Sequence, residues 1–506
     1  MSFPKHGHAA VAWLALVPLL VALLRLPRAE GRTRRAFWLG LMAGAAYFAG
    51  TLYWLVETMT TFGGLATPLA VFAAGVLVAY LSLFPAAFAV VFVRLHRALG
   101  RTWALMLAPS VWVATELGRQ YIWDGFPWEL LGYSQVTVLP VAQLASVTGV
   151  YGLSWLLAFS SCAAALAIEG RGRARWIAPA AAAALVAIAA AWGAWRVSRA
   201  ALLAGGEPVR VAVLQGNIAQ EDKWDPAFRD TITDRHLAMT RRAIARGATF
   251  ILWPESSTPF YFEEDPVRGG AIRRLARESG ATLLIGSDQV EPLRAEGGGP
   301  PAEQYYNAAF LVKPDGSTGA IYRKMHLVPF GEYVPFSRIL FFVGPIVEAV
   351  ADFSPGEVPV LLPVGRHVAS TAICYEVIYG SLIRRFVSDG SELLTTITND
   401  AWYGRSSAAY QHWDQAAMRA IENGRYLARA ANTGISGFVD PYGRELAKSD
   451  LFEQALLVED LRFIQARTVY TRIGDLVAWL SLALTAAALL ASLTRRTTFG
   501  RGRPQP

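Results

Sequence analysis

Three side chains that could cooperate in acyl chemistry follow short β-like segments that lie far apart in the sequence. Cys374 lies in ASTAICYE, Glu255 follows TFILWP, and Lys324 lies in YRKMHLVPFGEYVP. A thiolate attacks a carbonyl carbon, a carboxylate accepts the thiol proton, and an ammonium stabilises the oxyanion that forms. The backbone N–H of Tyr375 supplies a second oxyanion donor because it directly follows the nucleophile. These residue types together predict nucleophilic acyl transfer.

Each of the three residues has a plainer interpretation when it is taken alone. Free cysteines are among the most buried residue types, a Glu after Trp-Pro can be a loop charge, and a Lys can be a surface cation. The other cysteine, Cys162, lies inside an unbroken apolar run. The shared position of Glu255, Cys374 and the Asn399-Asp400 pair at strand ends favours catalysis, since sites in layered α/β domains collect there.

The elements that would position these residues occupy the second half of the chain, from about residue 207 to 465. Short β-branched segments occur at 209–217, 249–257, 281–290, 306–316, 367–376 and 393–400. Helix-like stretches at 230–247 and 411–431 separate some of them, and this alternation predicts an α/β layered domain. The sequence has no P-loop, no GxGxxG and no zinc-ligand spacing, so we predict neither a metal nor a cofactor.

The first half of the chain has the composition of a membrane protein. Hydrophobic residues make up 54% of the 506 residues, charged residues only 17%, and the mean hydropathy is positive. Apolar runs of about the length that crosses a bilayer lie at 9–26, 37–56, 67–93, 103–118, 142–168, 176–195 and 474–494. We therefore predict six spans within residues 1–196 and a seventh span at 474–494.

Lys and Arg are distributed unevenly among the connections between these spans. The connections at 27–35, 94–101 and 169–175 and the tail after 494 are basic, whereas those at 59–66 and 122–141 carry no Lys or Arg. The positive-inside rule then predicts a cytoplasmic C-terminus, with residues 197–473 and the N-terminus on the outer side. The net charge of +8 is explained as a topology signal, so no nucleic-acid partner is predicted.

Several motifs resemble the apolipoprotein N-acyltransferase branch of the nitrilase superfamily. They are WPES, YRKMHLVPFGEYVP, ICYE, NDAWYG (399–404), GFPWELLGYSQ (125–135) and QGNIAQEDKWD (215–225). The resemblance implies a multi-pass helical membrane domain and a nitrilase-like α-β-β-α sandwich on the periplasmic side of the bacterial inner membrane. Members usually have eight spans with both termini in the cytoplasm, and seven are counted here. The resemblance therefore implies either that the start of the sequence is assigned late or that this member lacks the first helix of the family.

The resemblance also implies a role for individual residues. Cys374 is the expected nucleophile, Glu255 the general base and Lys324 the oxyanion-side residue. Glu332, Tyr375 and Glu376 are expected to support them, while Trp128, Trp224 and Trp402 match positions tied to substrate handling. Interfacial or core packing is the alternative role for these three tryptophans.

One apolar segment, RILFFVGPIVEAV (338–350), follows the FGEYVP stretch. Its Phe341-Phe342 pair suggests a lid that dips into the outer leaflet and admits acyl chains to Cys374. A buried core element is the alternative interpretation.

The function that the resemblance implies is transfer of an acyl chain from a phospholipid to the N-terminal amine of a diacylglyceryl-cysteine in an apolipoprotein. Phosphatidylethanolamine is the expected donor, and a thioester on Cys374 is the expected intermediate. Two alternatives stay open from the sequence. One is a membrane-tethered amidase or nitrilase that hydrolyses a small C–N substrate, and the other is a non-enzymatic lipoprotein-binding membrane protein.

Overall fold

The computed structural model of the chain describes residues 2–5, 7–27, 29–123, 125–293, 302–329, 331–333 and 353–499. It divides into two compact units. One comprises Met1–Val56, Thr67–Arg199 and Ile473–Pro506, and the other comprises Glu57–Ala66 and Ala200–Arg472. The sequence did not indicate that residues 57–66 would belong to the second unit. The membrane and outer regions drawn from the sequence, 1–196, 207–465 and 474–494, stay predictions.

The first unit is helical. After a 3-10 turn at Ala9–Leu14 its helices are α1 (Val17–Arg25), α2 (Arg32–Thr51), α3 (Trp54–Thr61, shared with the second unit), α4 (Thr67–Leu99), α5 (Arg101–Tyr121), α6 (Leu139–Ala142), α7 (Ala145–Glu169), α8 (Ala174–Arg199) and, at its end, α14 (Leu476–Phe499). Gly149 interrupts α7 with a positive φ of 66°. Leu, Ala and Phe side chains from α1, α4, α5 and α7 form its hydrophobic core.

Four helices among the described residues are long and apolar enough to cross a membrane. They are Thr67–Leu99, Ala145–Glu169, Arg175–Ala204 and Leu476–Leu493, and a fifth span results if α2 and α3, which meet at 53°, form one broken span. The predicted run at 9–26 is a shorter apolar helix, and α5, which covers the run at 103–118, buries Glu116 and Arg119. The count of seven spans therefore stays a prediction.

The second unit contains twelve strands among its described residues. They are β1 (Glu207–Gln215), β2 (Phe250–Leu252), β3 (Thr282–Leu293), β4 (Ala302–Val312), β5 (Thr318–Arg323), β6 (Leu362–Val364), β7 (His367–Ile373), β8 (Leu393–Thr398), β9 (Leu427–Ala431), β10 (Gly437–Val439), β11 (Glu445–Lys448) and β12 (Ala455–Phe463). Its helices are α9 (Arg229–Ala245), α10 (Arg268–Ser279), α11 (Gly380–Ser388), α12 (Ala408–Asn423) and α13 (Val469–Ile473), whose last residue belongs to the first unit.

The strands form two six-stranded sheets, with the orders β12-β1-β2-β3-β4-β5 and β11-β10-β9-β8-β7-β6. The central strands β1, β2 and β3 pair in parallel, as do β7, β8 and β9. The sheets face each other through β1 and β9 and through β4 and β7, while α11 and α12 pack on the second sheet. Apolar residues of α9 and α10 cover the first sheet. The result is the predicted α-β-β-α sandwich.

Residue patterning explains why the parallel strands form the middle of each sheet. The strands β2 and β8 are buried along their whole length and consist of apolar and β-branched residues, which suits strands covered on both faces. The outer strand β11 is largely exposed and reads ELAK, with charged ends. The carboxyl ends of β2, β5, β7 and β8 provide the residues of the site described next.

Candidate active site

Glu255 lies three residues beyond the end of β2 and is held in place by the neighbouring strand β3. The N–H of Trp253 donates to the carbonyl of Leu284 at 2.8 Å, and the N–H of Ser257 donates to the carbonyl of Gly286 at 2.8 Å. These two hydrogen bonds flank Glu255 and fix its backbone against β3. The Glu255 side chain is buried, so its carboxylate needs protein partners.

Lys324 directly follows β5, and its buried ammonium lies between two carboxylates. Its Nζ is 2.8 Å from Oε1 of Glu332 and 3.5 Å from Oε1 of Glu255. Nδ2 of Asn307, on β4, donates to the same two oxygens at 2.9 and 2.7 Å. The N–H of Val328 donates to the second oxygen of Glu332 at 2.8 Å. Glu332 therefore fixes the ammonium of Lys324, while Glu255 lies slightly further from it.

Cys374 directly follows β7 and begins a 3-10 turn, Cys374–Ile378. Its φ of 52° is in the left-handed region, which is unfavourable for a residue with a Cβ and is typical of functional sites. Glu376 stabilises the turn because its Oε2 accepts a bond from the N–H of Ile373 at 2.8 Å. Its Oε1 accepts from Tyr322 Oη at 2.7 Å and from the N–H of Met325 at 2.6 Å.

Several hydrogen bonds join the sheets at this point. The N–H of Asn399, just after β8, donates to Oε2 of Glu255 at 2.7 Å, and the Tyr322 bond to Glu376 also crosses from one sheet to the other. Glu255 and Lys324 belong to the first sheet, whereas Cys374 and Asn399 belong to the second. The site is thus assembled between the two sheets at the carboxyl ends of their strands.

The charges around the thiol act in opposite directions. Burial raises the pKa of Cys374, and the nearby Glu255 carboxylate raises it further, while the Lys324 ammonium lowers it by less. Burial by itself would lower the pKa of Lys324, but the Glu332 and Glu255 carboxylates outweigh that effect and raise it. The resting site therefore contains a neutral thiol and a protonated lysine. For this thiol to act as a nucleophile, a base would have to remove its proton.

The structure brings together the six predicted catalytic and supporting residues at the junction of the two sheets. They are Glu255, Lys324, Glu332, Cys374, Tyr375 and Glu376, and each is buried. Tyr375 packs edge-on against Tyr379, with ring centroids 5.4 Å apart. Their arrangement permits nucleophilic attack by the thiol, proton transfer to Glu255 and charge stabilisation by Lys324. Their catalytic roles stay predictions.

Sequence reasoning missed two residues that shape this site. Asn307 bonds both Glu255 and Glu332, although it lies in the middle of a strand that carries no motif. Lys223 is buried, and its Nζ donates to the main-chain carbonyl of Glu255 at 3.2 Å. Burial lowers the pKa of this lysine. Its position directly before Trp224, in a motif already singled out, was the one available signal.

The three predicted substrate-handling tryptophans have different environments. Trp128 is buried in the helical unit, where its ring stacks on Phe126 and packs 5.3 Å from Trp54. Trp224 is 45% exposed and Trp402 is 37% exposed, both in the second unit. The ring of Trp402 packs edge-on against Phe62 at 5.6 Å. Substrate handling by these residues stays a prediction.

Two other predictions concern the apolar 338–350 segment and metal binding. Phe341 and Phe342, with the whole 338–350 segment, lie outside the described residues, so the lid hypothesis stays a prediction. Within the described part of the chain, no group of three or more His, Cys, Asp or Glu residues could hold a metal ion.

Comparison with known proteins adds independent information. Residues 1–163 match the family model described as apolipoprotein N-acyltransferase N-terminal domain, and residues 210–470 match the one described as carbon-nitrogen hydrolase. A protein of Geobacter metallireducens named apolipoprotein N-acyltransferase is 40% identical over 501 residues, covering 98% of this chain and 93% of that protein. A protein of Methylococcus capsulatus with the same name is 33% identical over 501 residues, covering 98% and 94%. A solved structure of a Nesterenkonia amidase from the nitrilase superfamily is 26% identical, with a TM-score of 0.38, covering 51% of this chain and 92% of the amidase.

Proposed function

The chain belongs to the apolipoprotein N-acyltransferase family, and from this premise we propose that it acylates lipoproteins through a thioester on Cys374. The protein is a membrane acyltransferase whose substrates are a lipoprotein and a phospholipid. We propose phosphatidylethanolamine as the donor. The acceptor is the free N-terminal amine of a diacylglyceryl-cysteine.

In the first half-reaction the Cys374 sulfur attacks an ester carbonyl of the phospholipid. Glu255 accepts the thiol proton, the new C–S bond forms, and the ester C–O bond breaks. Glu255 then returns the proton to the departing oxygen, so a lysophospholipid leaves. Because the buried thiol is neutral at rest, transfer of its proton to Glu255 must accompany the attack.

In the second half-reaction the amine of the lipoprotein attacks the thioester carbonyl. A C–N bond forms, the C–S bond breaks, and the amine proton passes through Glu255 to the sulfur, which restores the starting enzyme. In both halves the carbonyl oxygen becomes an oxyanion, which the Lys324 ammonium and the Tyr375 N–H stabilise. The lysine is suited to this task because its two carboxylate neighbours keep it protonated.

The single observation that supports this proposal most strongly is the position of Glu255. Its carboxylate contacts Asn307 and the Asn399 N–H at 2.7 Å and Lys324 at 3.5 Å, and its charge acts on the Cys374 thiol. A base, a cation and a nucleophile are thus coupled in one buried site.

A membrane location follows from the chemistry of both substrates. Each carries long acyl chains, and exposing one CH₂ group to water costs about 0.8 kcal/mol. An enzyme embedded in the bilayer can receive the reacting groups at the surface without extracting the chains. We propose that the membrane is the bacterial inner membrane and that the catalytic unit faces the periplasm, since the basic connections predict that orientation.

The test is detection of the acyl-enzyme by intact mass spectrometry. The purified full-length chain is incubated with phosphatidylethanolamine vesicles without acceptor, and peptide mapping locates any adduct. We expect an increase by one acyl group on Cys374, released when a diacylated lipopeptide is added. Cys374→Ala should gain no mass, while the matched control Cys162→Ala should behave like the unmodified protein.

Three results would contradict the proposal or parts of it. An adduct that persists in Cys374→Ala would remove the thiol from the mechanism. Turnover of small amides without phospholipid adducts would favour the amidase alternative. Equal acylation from phosphatidylglycerol vesicles with identical acyl chains would contradict only the proposed preference for the ethanolamine headgroup.

A further inference from the structure

A buried polar cluster lies behind the nucleophile and takes no part in the chemistry described above. It consists of Asp400, just beyond β8, His412 on α12 and Arg429 on β9, all with side chains at most 1% exposed. Arg429 Nη2 lies 2.8 Å from Asp400 Oδ2 and 2.9 Å from His412 Nδ1. Burying polar groups costs free energy unless they form hydrogen bonds. The contacts of these three side chains therefore show which group the cluster positions.

The other ring nitrogen of His412 contacts the nucleophile's backbone. Nε2 lies 3.1 Å from the main-chain carbonyl oxygen of Cys374. A carbonyl oxygen only accepts hydrogen bonds, so Nε2 carries a proton and donates it there. On the other side of the ring, Nδ1 faces Arg429 and is 3.0 Å from Asp400 Oδ1. The cluster therefore fixes both the orientation of the imidazole and the nitrogen that meets Cys374.

This contact determines the direction of the next peptide group. The C=O and N–H bonds of a trans peptide lie in one plane and point in opposite directions, so anchoring the Cys374 carbonyl on His412 aims the Tyr375 N–H away from His412. On the amino side, Glu376 holds the N–H of Ile373. Both flanks of Cys374 are thus fixed, as its left-handed φ of 52° requires.

We propose that His412 is a positioning residue, which presets the Cys374–Tyr375 peptide so that its N–H stabilises the oxyanion. Asp400 and Arg429 hold the imidazole in the required orientation. The inference rests on the proposed function of the same site, because an oxyanion forms only when a carbonyl is attacked. His412 acts through the Cys374 carbonyl, and burial lowers its pKa, which suits a neutral donor.

The test compares two amide substitutions that differ in reach. In His412→Gln an amide N–H can occupy the place of Nε2 and still bond the Cys374 carbonyl. In His412→Asn the side chain is one CH₂ shorter and reaches only toward Asp400. Both keep a polar group in the cluster, so a difference between them reports on the carbonyl bond.

Two rates are measured on the full-length protein, together with the melting temperature. One is the rate of Cys374 acylation by phosphatidylethanolamine, and the other is the rate of its alkylation by iodoacetamide. Alkylation needs the sulfur but forms no oxyanion. We expect His412→Asn to lower acylation about 10²–10³-fold, as loss of one oxyanion donor does, with alkylation unchanged. His412→Gln should recover most of the acylation rate.

A matched control comes from the adjacent residue on the same helix. Trp413 is buried, and its Nε1 donates to Glu445 at 2.6 Å. Trp413→Phe removes a partly buried hydrogen bond of α12 and leaves the contact between His412 and Cys374 in place. We expect normal acylation in this variant, even if its melting temperature decreases.

The outcomes separate this inference from the proposed function. If the unmodified protein forms no adduct on Cys374, the proposed function fails and the inference with it. If it does, equal acylation by the Asn and Gln variants would overturn the inference alone. So would a parallel decrease in acylation, alkylation and melting temperature, which indicates a structural role.

Should His412→Asn not fold, Arg429→Lys is used, since it keeps a cation beside Asp400 but loses the planar support of the imidazole. Its acylation should decrease while its alkylation does not, and unchanged acylation would overturn the inference.

Discussion

The protonation state of the resting site depends on a few buried charges. Glu255 is shared among Lys324, Asn307 and the N–H of Asn399, and burial keeps the Cys374 thiol neutral. As the proposed nucleophile, Cys374 would therefore be activated only when a base accepts its proton. This makes two properties measurable at the scale of single residues, namely the need for the Glu255 carboxylate and the ionisation of the thiol.

Glu255→Gln removes the proposed base while nearly keeping the side-chain shape. We expect acyl-enzyme formation to decrease about 10²–10⁴-fold, which is the usual contribution of a general base. Stability should decrease modestly, because the new NH₂ group faces the donors that now bond the carboxylate. Single-turnover acylation and the melting temperature test both points. The exposed Glu278→Gln on α10 serves as the control, and near-normal acylation by Glu255→Gln would make Glu332 or Glu376 the next candidate base.

The thiol pKa can be measured directly in a Cys162→Ala background. Burial and the charge of Glu255 raise the pKa of Cys374, so little thiolate exists at neutral pH. We expect the iodoacetamide alkylation rate to keep increasing above about pH 8.5, where an ordinary cysteine is half ionised. A cysteine peptide provides the reference curve. A rate that levels off below that pH would contradict the raised pKa.

At the scale of elements, the strand ends that carry the site are held by close backbone contacts. Gly286 on β3 lies beside the Pro254-Glu255 segment, and a Cβ at this position would be 2.2 Å from the Pro254 carbonyl oxygen and 2.7 Å from the Glu255 Cα. Its φ is not in the left-handed region, so space rather than backbone conformation requires glycine here. The position of the base therefore depends on the absence of a side chain on the neighbouring strand.

Gly286→Ala tests this dependence. We expect it to destabilise the protein by about 1–3 kcal/mol, as overpacking does, and to reduce acylation because Glu255 is displaced. The matched control is Gly270→Ala on α10, where a new Cβ meets no atom within 4 Å. That change should be neutral or stabilise the helix by about 0.5–1 kcal/mol. Denaturant unfolding and acylation are measured for both, and equal behaviour of the two variants would argue against the close approach.

At the scale of the whole molecule, two kinds of structure serve one reaction. Apolar helices suit a bilayer, and a two-sheet sandwich carries the predicted catalytic residues. The alternation of basic and non-basic connections predicts on which side of the membrane each part lies. The predicted orientation can be tested without knowing the number of spans, because only the last apolar helix separates the catalytic unit from the C-terminus.

Reporter fusions after Gly205 and after the C-terminus should give opposite signals. The first is expected to report the periplasm, with active alkaline phosphatase, and the second the cytoplasm, with fluorescent green fluorescent protein. A fusion after Gly172, in the basic 169–175 connection, is the control and should match the C-terminal one. Identical signals at Gly205 and at the C-terminus would contradict the predicted topology.

The sequence alone predicted features that depend on local chemistry. A strand followed at once by Cys, Glu or Asn carries its own periodicity and its own polar end, so an α/β layered domain could be predicted, together with the candidates Glu255, Lys324 and Cys374. Family resemblance added the α-β-β-α sandwich and the supporting roles of Glu332 and Glu376, whereas the Tyr375 N–H was predicted from its position directly after Cys374. Apolar runs of about 20 residues likewise indicated a membrane protein, because burial in lipid requires a continuous stretch of chain.

Only the tertiary structure revealed which residues, distant in the sequence, complete the site. Asn307 lies 52 residues from Glu255 and His412 lies 38 residues from Cys374, and neither is marked by its neighbours in the sequence. Their roles arise because two sheets and a packed helix bring separate segments within 3 Å or so of one another. Such contacts depend on strand order and register, which local residue patterns do not encode. The candidate nucleophile and base could thus be predicted from the chain, whereas the contact between His412 and the Cys374 carbonyl became visible only in the folded protein.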